Sequence, residues 1–373
     1  MTANMRVLHG PVNVGNQPWT LSRAERKLGL KSDVAVNYGT WLGYPADVTV
    51  GTYQGKTIVD RLRRSAFGLS APFKYDVLHY YFGRNFFLWD DYGMAFGRSA
   101  AQDKRLLRDV RLAKRLGKRT FMTLQGCDIR LARQSFERNS WTPCHPDRCG
   151  AFDSCVKQYD FDRTAMSRVL LPLMDRVFYL NPELGHYVPN GVFLPYANVD
   201  LDGVERRPPS GSRRVRIVHA PSDPKTKGTD LIMAALDRLA SRYQFELILV
   251  QGLPHAEAME LYRSADLAID QILFGWYGGF AVELMAMGKP VAAFIREEDR
   301  EYVPSQMWEQ LPILRLDPSH LERDLSRILE APDLLIEYGK RSEEFVRRWH
   351  DPAKIARGMI ELYEHPEKAL SLI

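Results

Sequence analysis

Short, uninterrupted apolar runs alternate with helical patterns along the whole chain, and this alternation restricts its fold more than any other feature. In the first half the runs are Arg6–Pro11, Asp33–Tyr38, Asp76–Tyr81, Thr120–Gln125, Arg176–Leu180 and Val192–Tyr196. In the second they are Val215–Ala220, Phe245–Gln251, Leu267–Ile272, Pro290–Phe294 and Ile313–Leu316. Continuous rather than alternating hydrophobicity suits parallel strands covered on both faces. Helical spacing fills the intervals, as in Thr20–Leu28, Asp230–Ser241 and Glu257–Arg263. Strand–helix alternation of this kind builds a doubly wound α/β sheet.

The pattern stops once, in a polar Pro/Gly/Ser-rich stretch between Val199 and Arg214, and then restarts. Such composition marks a linker. At 373 residues, 45% hydrophobic and 26% charged, the chain is long enough for two cores. The expected architecture is α/β, with two tandem Rossmann-like doubly wound parallel sheets facing across a cleft. The domains are expected at 1–200 and 201–345, with a C-terminal helix of about 345–373 packing back on the first. Ligands of such sheets bind at the carboxyl ends of the strands, and in two-domain proteins often in a cleft.

Collagen-like, disordered and disulfide-scaffold classes are excluded by this composition. No run of about 18 apolar residues appears, so no helical membrane span is expected. The first residues lack a basic-then-apolar leader pattern, and there are only four Cys. A cytoplasmic protein is therefore expected. Residues 1–200 carry 28 Lys+Arg against 18 Asp+Glu, a balance of +10, while residues 201–373 carry 23 against 28, or −5. This asymmetry does not suit a uniformly basic nucleic-acid binder, although one basic domain could still meet an anionic partner, and no nucleic acid is expected. Part of the excess lies on one face of a helical pattern over Lys104–Arg119, formed by Lys104, Arg108, Arg111, Arg115 and Lys118. That face is either solvated surface or a contact for anionic lipid or a phosphorylated acceptor.

The loops after the strands carry the chemical signals. From Ala265 to Ala293 a strand ends near Gln271, an aromatic and Gly-rich loop follows, and Gly278-Gly279 opens a helix carrying Phe280, Leu284 and Met287. Free N–H groups at a helix start suit a phosphate. Glu283 sits among Ala, Val, Leu and Met, where a carboxylate needs partners that sugar hydroxyls would supply. In Val218–Ile232 a strand ends near Ala220, and Gly228-Thr229-Asp230 starts a helix beside Lys227, a charge placed to clamp a diphosphate.

The segment 265–293 resembles the donor loop and helix of GT-B glycosyltransferases, in particular retaining glycosyltransferase family 4 (glycosyl transferases group 1). Gly278, Glu283, Met285, Ala286, Gly288, Pro290 and Val291 match that pattern. The resemblance implies that Glu283 contacts a nucleotide ribose and that Gly278, Gly279 and Phe280 lie along the diphosphate and sugar. The family's first Glu falls at Gly275, and Asp270 or Gln271 is expected to take over its contacts. Lys227 and Gly228 match the family's Gly-Arg…Lys-Gly motif, whose Arg position holds Ser222; Thr229 at the helix start is a further donor-binding candidate, and Lys225 is expected to share the charge. In the first domain, Asn13, Gly15 and Asn16 resemble the acceptor-side loop, which could approach donor phosphate or acceptor. Thr123–Arg130 resembles a Thr-x-His-Gly-Ser-Asp strand end, with Gln125 in place of His and Gly126 and Asp128 matching. Leu194–Asp200 resembles the segment before the hinge.

Other signals are discounted. Asp160-Phe-Asp162 and Asp200-Leu-Asp202 are Asp-x-Asp triplets in unsuitable context, and no metal is expected from them. Cys144, Cys149 and Cys155, with His145 or Cys127, are either free thiols or a zinc site lacking paired Cys-x-x-Cys units. His79 and His219, at strand ends, are expected to be structural or pocket-lining. The resemblance implies an enzyme that moves a sugar from a nucleotide-diphosphate donor to an acceptor held mainly by the first domain. It implies retention, no metal and no cofactor beyond that co-substrate. The catalytic set is Lys227, Glu283, Gln125 and Asp128. Expected partners are the donor and a glycan, lipid-linked or small-molecule acceptor, with peripheral contact at the inner membrane face through helix 104–119. The alternative is a non-catalytic GT-B protein that binds a nucleotide sugar or serves as a partner subunit.

Overall fold

In the computed structural model, residues 4–39, 43–52, 57–88 and 96–372 are described. The chain divides into two compact units. Unit 1 comprises Met1–Leu131, Ser154–Asn198 and Pro352–Ile373; unit 2 comprises Ala132–Asp153 and Val199–Asp351.

Unit 1 is built on seven parallel strands: β1 (Arg6–Gly10), β2 (Lys31–Val36), β3 (Val48–Thr49), β4 (Val77–Tyr81), β5 (Arg119–Leu124), β6 (Arg176–Tyr179) and β7 (Val192–Phe193). Their order is β3-β2-β1-β4-β5-β6-β7. The order reverses between β1 and β4, which makes the loop after β1 a ligand position by topology alone. Helices α1 (Gln17–Lys27), α2 (Ile58–Lys74), α3 (Ala100–Leu106) and α4 (Arg108–Arg115) connect the first strands. The expected single helix over 104–119 is two, because the chain breaks at the buried Leu107, and Arg119 already belongs to β5.

After β5 come α5 (Ala132–Arg138), in unit 2, then α6 (Phe152–Ser154) and α7 (Asp160–Val169), the last in unit 1. The segment 132–153, expected within the first domain, belongs to unit 2. There the Trp141 indole donates to Ser319 Oγ at 3.0 Å, and its ring packs against the hydrophobic core of the unit.

Unit 2 has five parallel strands: β8 (Val215–His219), β9 (Phe245–Leu249), β10 (Leu267–Ile269), β11 (Val291–Ala293) and β12 (Ile313–Arg315). Their order, β12-β11-β10-β8-β9, places the reversal between β8 and β10. Its helices are α8 (Pro224–Lys227), α9 (Thr229–Leu239), α10 (His255–Ser264), α11 (Gly279–Ala286), α12 (Ser305–Glu309), α13 (Leu321–Glu330) and α14 (Pro332–Trp349). The last helix, α15 (Pro352–Glu364), returns to unit 1 and packs on α1.

A fully buried polar network fastens α15 to the sheet of unit 1. Both oxygens of Glu25 are engaged: Oε1 accepts from the Tyr363 hydroxyl at 2.8 Å, and Oε2 accepts from His9 Nε2 at 2.8 Å and Ser32 Oγ at 2.6 Å. His9 Nδ1 lies 2.8 Å from the Tyr81 hydroxyl. His79 bridges the Tyr363 oxygen (3.2 Å) and Thr123 Oγ1 (2.7 Å), and burial holds its pKa well below the usual value. With a neutral His79 the donors run in one sense: Thr123 O–H to Nε2, Nδ1–H to Tyr363, Tyr363 O–H to Glu25. Tyr363→Phe leaves Glu25 Oε1 and a His79 nitrogen without this partner. Urea denaturation should show a loss of about 1–3 kcal/mol, and an unchanged midpoint would contradict the network's role.

Candidate functional site

At the strand-order reversal of unit 2, the loops after β8 and β10 meet. His219, the last residue of β8, is buried and held neutral by burial, which lowers its pKa. Its Nδ1–H donates to Ile269 O at 2.8 Å, so Nε2 accepts from the Thr229 hydroxyl at 2.9 Å. The chain then turns through α8, capped by Asp223, and enters α9 at Gly228. Gly228 has φ 79°, and a Cβ there would sit 2.6 Å from Ile272 Cγ1, so the turn requires glycine. Ser222 and Lys225 lie exposed on this turn.

Asp270 follows β10 and is almost fully buried. One of its oxygens accepts the Gly278 N–H at 2.6 Å, and the other lies 3.6 Å from Lys227 Nζ. Lys227 Nζ donates to Gln271 Oε1 at 2.7 Å, and Gln271 Nε2 donates to Trp276 O at 2.7 Å. A Cβ on Gly278 would lie 3.5, 3.7 and 3.8 Å from Asp270 Oδ2, Lys227 Nζ and Gln271 Nε2. Lys227, Asp270, Gln271 and Gly278 thus form one tight cluster. The Gly278 amide, expected to face a ligand, is taken by Asp270.

Helix α11 starts at this cluster with Gly278 as its N-cap and no side-chain cap. The helix is apolar, and Glu283 is its one acid. Glu283 Oε1 is bonded to His255 Nε2 at 2.9 Å, and this bond raises the His255 pKa above 6.5. The Phe280 ring meets Tyr262 edge-on at 5.1 Å. No sequence signal marked His255, which lies on α10.

Gly275 holds the position where the family has its first Glu. The structure fills that place with Arg296, another residue the sequence reading missed. Gly275 has φ 76°, and a Cβ there would lie 2.6 Å from Arg296 Nη1. Arg296 is buried; it pairs with Asp299 at 3.0 Å and donates to Trp141 O at 2.7 Å and Phe274 O at 3.3 Å. Segment 132–153 and the loop after β10 are thereby tied through one guanidinium.

In unit 1, Asn13, Gly15 and Asn16 lie on the loop after β1, at that sheet's reversal. Asn13 Nδ2 donates to Pro45 O at 3.0 Å and Asn16 Nδ2 to Thr20 Oγ1 at 3.2 Å, while both Oδ1 atoms are buried without a partner among the described residues. Gln125 follows β5, and its Nε2 is likewise buried and unpartnered. Asp128 is wholly buried: its oxygens accept the Gln125 and Gly126 amides at 2.6–3.1 Å, and burial raises its pKa. Its carboxylate is spent on holding the strand-end turn.

Among the described residues, no group of three or more His, Cys, Asp or Glu is placed to hold a metal ion. Cys144 and Cys149 lie in unit 2, and Cys127 and Cys155 in unit 1.

No family model matches this chain, and no curated protein matches it in sequence. Solved structures do match its fold. Sucrose-phosphate synthase from Thermosynechococcus elongatus is 16% identical with a TM-score of 0.61, over 97% of this chain and 99% of that one. Anabaena HepE (Alr3699), solved with UDP-glucose, is 10% identical with a TM-score of 0.57 over the same shares. The catalytic domain of starch synthase IV from Arabidopsis thaliana, bound to ADP and acarbose, is 12% identical with a TM-score of 0.56, again over 97% and 99%. The chain has the GT-B fold of these enzymes.

The Gly275–Arg296 contact gives a direct test. Gly275→Ala forces a left-handed backbone on a residue with a Cβ and drives that Cβ into the guanidinium. Chemical denaturation should show a loss of about 2–4 kcal/mol; a loss below about 0.5 kcal/mol would mean that the loop is not held this way.

Proposed function

We propose that this chain is a glycosyltransferase whose unit 2 binds a nucleotide-diphosphate sugar at the β8–β10 reversal. The observation carrying this reading is the convergence of Lys227 with the start of α11 beside a buried carboxylate. A lysine and the first-turn amides of a helix together suit a diphosphate. The UDP-glucose of HepE and the ADP of starch synthase IV make a nucleotide donor the natural class. In this reading Glu283 leaves His255 and accepts the ribose hydroxyls.

The acceptor is taken by the strand-end loops of unit 1, where Asn13 Oδ1, Asn16 Oδ1 and Gln125 Nε2 lack partners among the described residues. Its hydroxyl oxygen bonds to the anomeric carbon as the bond from that carbon to the diphosphate oxygen breaks. The departing oxygen keeps the electron pair and takes the acceptor's proton. Lys227 and the α11 amides stabilise the growing phosphate charge, so no metal is needed. Retention of anomeric configuration is part of the proposal, motivated by the match of Gly278, Glu283, Gly288, Pro290 and Val291 to retaining enzymes, and the anomeric coupling of the product tests it.

A panel of nucleotide sugars screened by thermal shift, with chelator present, should yield a donor that raises the melting temperature. Lys227→Ala and Glu283→Ala should each weaken that donor's binding about tenfold or more. An undiminished shift in both variants would refute the site.

The His255–Glu283 pair gives this binding a pH dependence. Glu283 favours the imidazolium, so His255 titrates above 6.5. The pair is complete below that value and is lost as pH rises through the raised pKa. Since the donor must displace His255, its binding should tighten as pH climbs through this window, and His255→Gln should flatten the profile. Binding that weakens over the same range would contradict the displacement.

A further inference from the structure

Helix α2 carries its apolar residues on the wrong side for a core. Its inward face is Asp60, Arg64, Gly68, Ala71 and Pro72. Its outward face shows Ile58 (74% exposed), Leu62 (65%), Leu69 (39%) and Phe73 (64%), with Val59 (51%) at the margin. Positions 58, 62, 69 and 73 share one face of a 3.6-residue helix. This is an amphipathic helix whose apolar stripe points away from the protein.

Exposed cations stand on α2 and on its neighbour α4. Arg63 and Lys74 of α2 are exposed, and α4, which packs against α2, exposes Arg108, Arg111 and Arg115. The one acid of each helix is buried: Asp60 is bonded to Thr52 and Thr57, and Asp109 to Asn85 and the Phe86 amide. An exposed apolar stripe, with exposed Lys and Arg on the same helix and on the helix packed against it, suits the surface of an anionic bilayer. A second copy of the chain fits worse, because a self-complementary contact would bring like charges together.

We propose that unit 1 docks on anionic lipid membranes through α2. Ile58, Leu62, Leu69 and Phe73 enter the boundary between headgroups and acyl chains, and the arginines of α4 meet the anionic headgroups. The basic face expected to touch a membrane is the flank of this surface, and α2 is its inserted edge. The inference does not depend on the sugar-transfer reading.

The test is co-sedimentation of the full chain with vesicles of phosphatidylcholine alone or mixed with phosphatidylglycerol. The protein should bind the mixed vesicles, bind phosphatidylcholine much more weakly, and release as salt rises. Leu62→Asp combined with Phe73→Asp should lower partitioning about tenfold or more. Arg108→Glu combined with Arg111→Glu should lower it by about fivefold per residue. All four sites are on the surface, so both variants should keep the parent's melting temperature. They should also keep its donor-induced shift, which reads unit 2 separately. Failure to bind mixed vesicles, or equal binding by the Leu62/Phe73 variant, would overturn the proposal. So would a dimer in sedimentation equilibrium that the Leu62/Phe73 variant dissociates, since the stripe would then belong to a second copy.

Discussion

A single buried carboxylate, Asp270, sets the geometry on which the rest of unit 2's site depends. At the end of the central strand β10 it has little access to water, so its charge must be met by protein groups. It takes the Gly278 amide at the start of α11 and stands beside Lys227 from the end of α8. Two chain segments more than forty residues apart are thus fixed at one point, and Gln271 completes the tie by joining Lys227 to the Trp276 carbonyl. The helix start and the lysine are thereby held in place, with the Gly278 amide and part of the lysine's charge already engaged.

Unit 1 solves a different problem with the same chemistry. Its C-terminal helix arrives after the chain has completed a second sheet, and ordinary apolar packing would not fix its register. Glu25 does so, accepting from Tyr363 on α15, His9 on β1 and Ser32 on β2. Removing any one donor leaves a buried acceptor short of a partner, so the helix has one favoured seat. Segment 132–153 is anchored in unit 2 by a comparable device, the Arg296 guanidinium on the Trp141 carbonyl.

The strands were legible because buried parallel strands must be continuously apolar, and all eleven expected runs correspond to strands of the structure. The twelfth, β3, is two exposed residues with no apolar run to betray it. The break in helix 104–119 and the transfer of 132–153 to unit 2 depend on tertiary contacts that no local pattern encodes. Within the site, the glycines and Lys227 stood out, because a turn at positive φ and a charge beside a helix start leave marks in sequence. His255 and Arg296 did not, since a lone His or Arg carries no spacing. The stripe of α2 is the sharpest case. Its residues recur at the interval of a core-facing helix, and only their exposure reveals that they face outward.

The three departures from the family pattern have different physical meanings. At Gly275 a longer side chain is excluded by the Arg296 guanidinium, so the loop is built without a carboxylate there, and the buried carboxylate of the cluster is Asp270 at the strand end. At Ser222 the chain is exposed on a capped turn, and the loss of a cation leaves Lys227 as the positive charge inside the cluster. Lys227 is already shared between Asp270 and Gln271, so an incoming diphosphate would have to compete with a carboxylate at 3.6 Å for the same ammonium. Gln271 makes that exchange less costly: its neutral carbonyl can hold Lys227 while the charge interaction moves from Asp270 towards the phosphate. At Gln125 the change is from a group that can carry charge to one that cannot, and its buried Nε2 can only donate. Under the proposed donor reading, a lysine balanced by one carboxylate would stand in for the larger set of charges in that pattern.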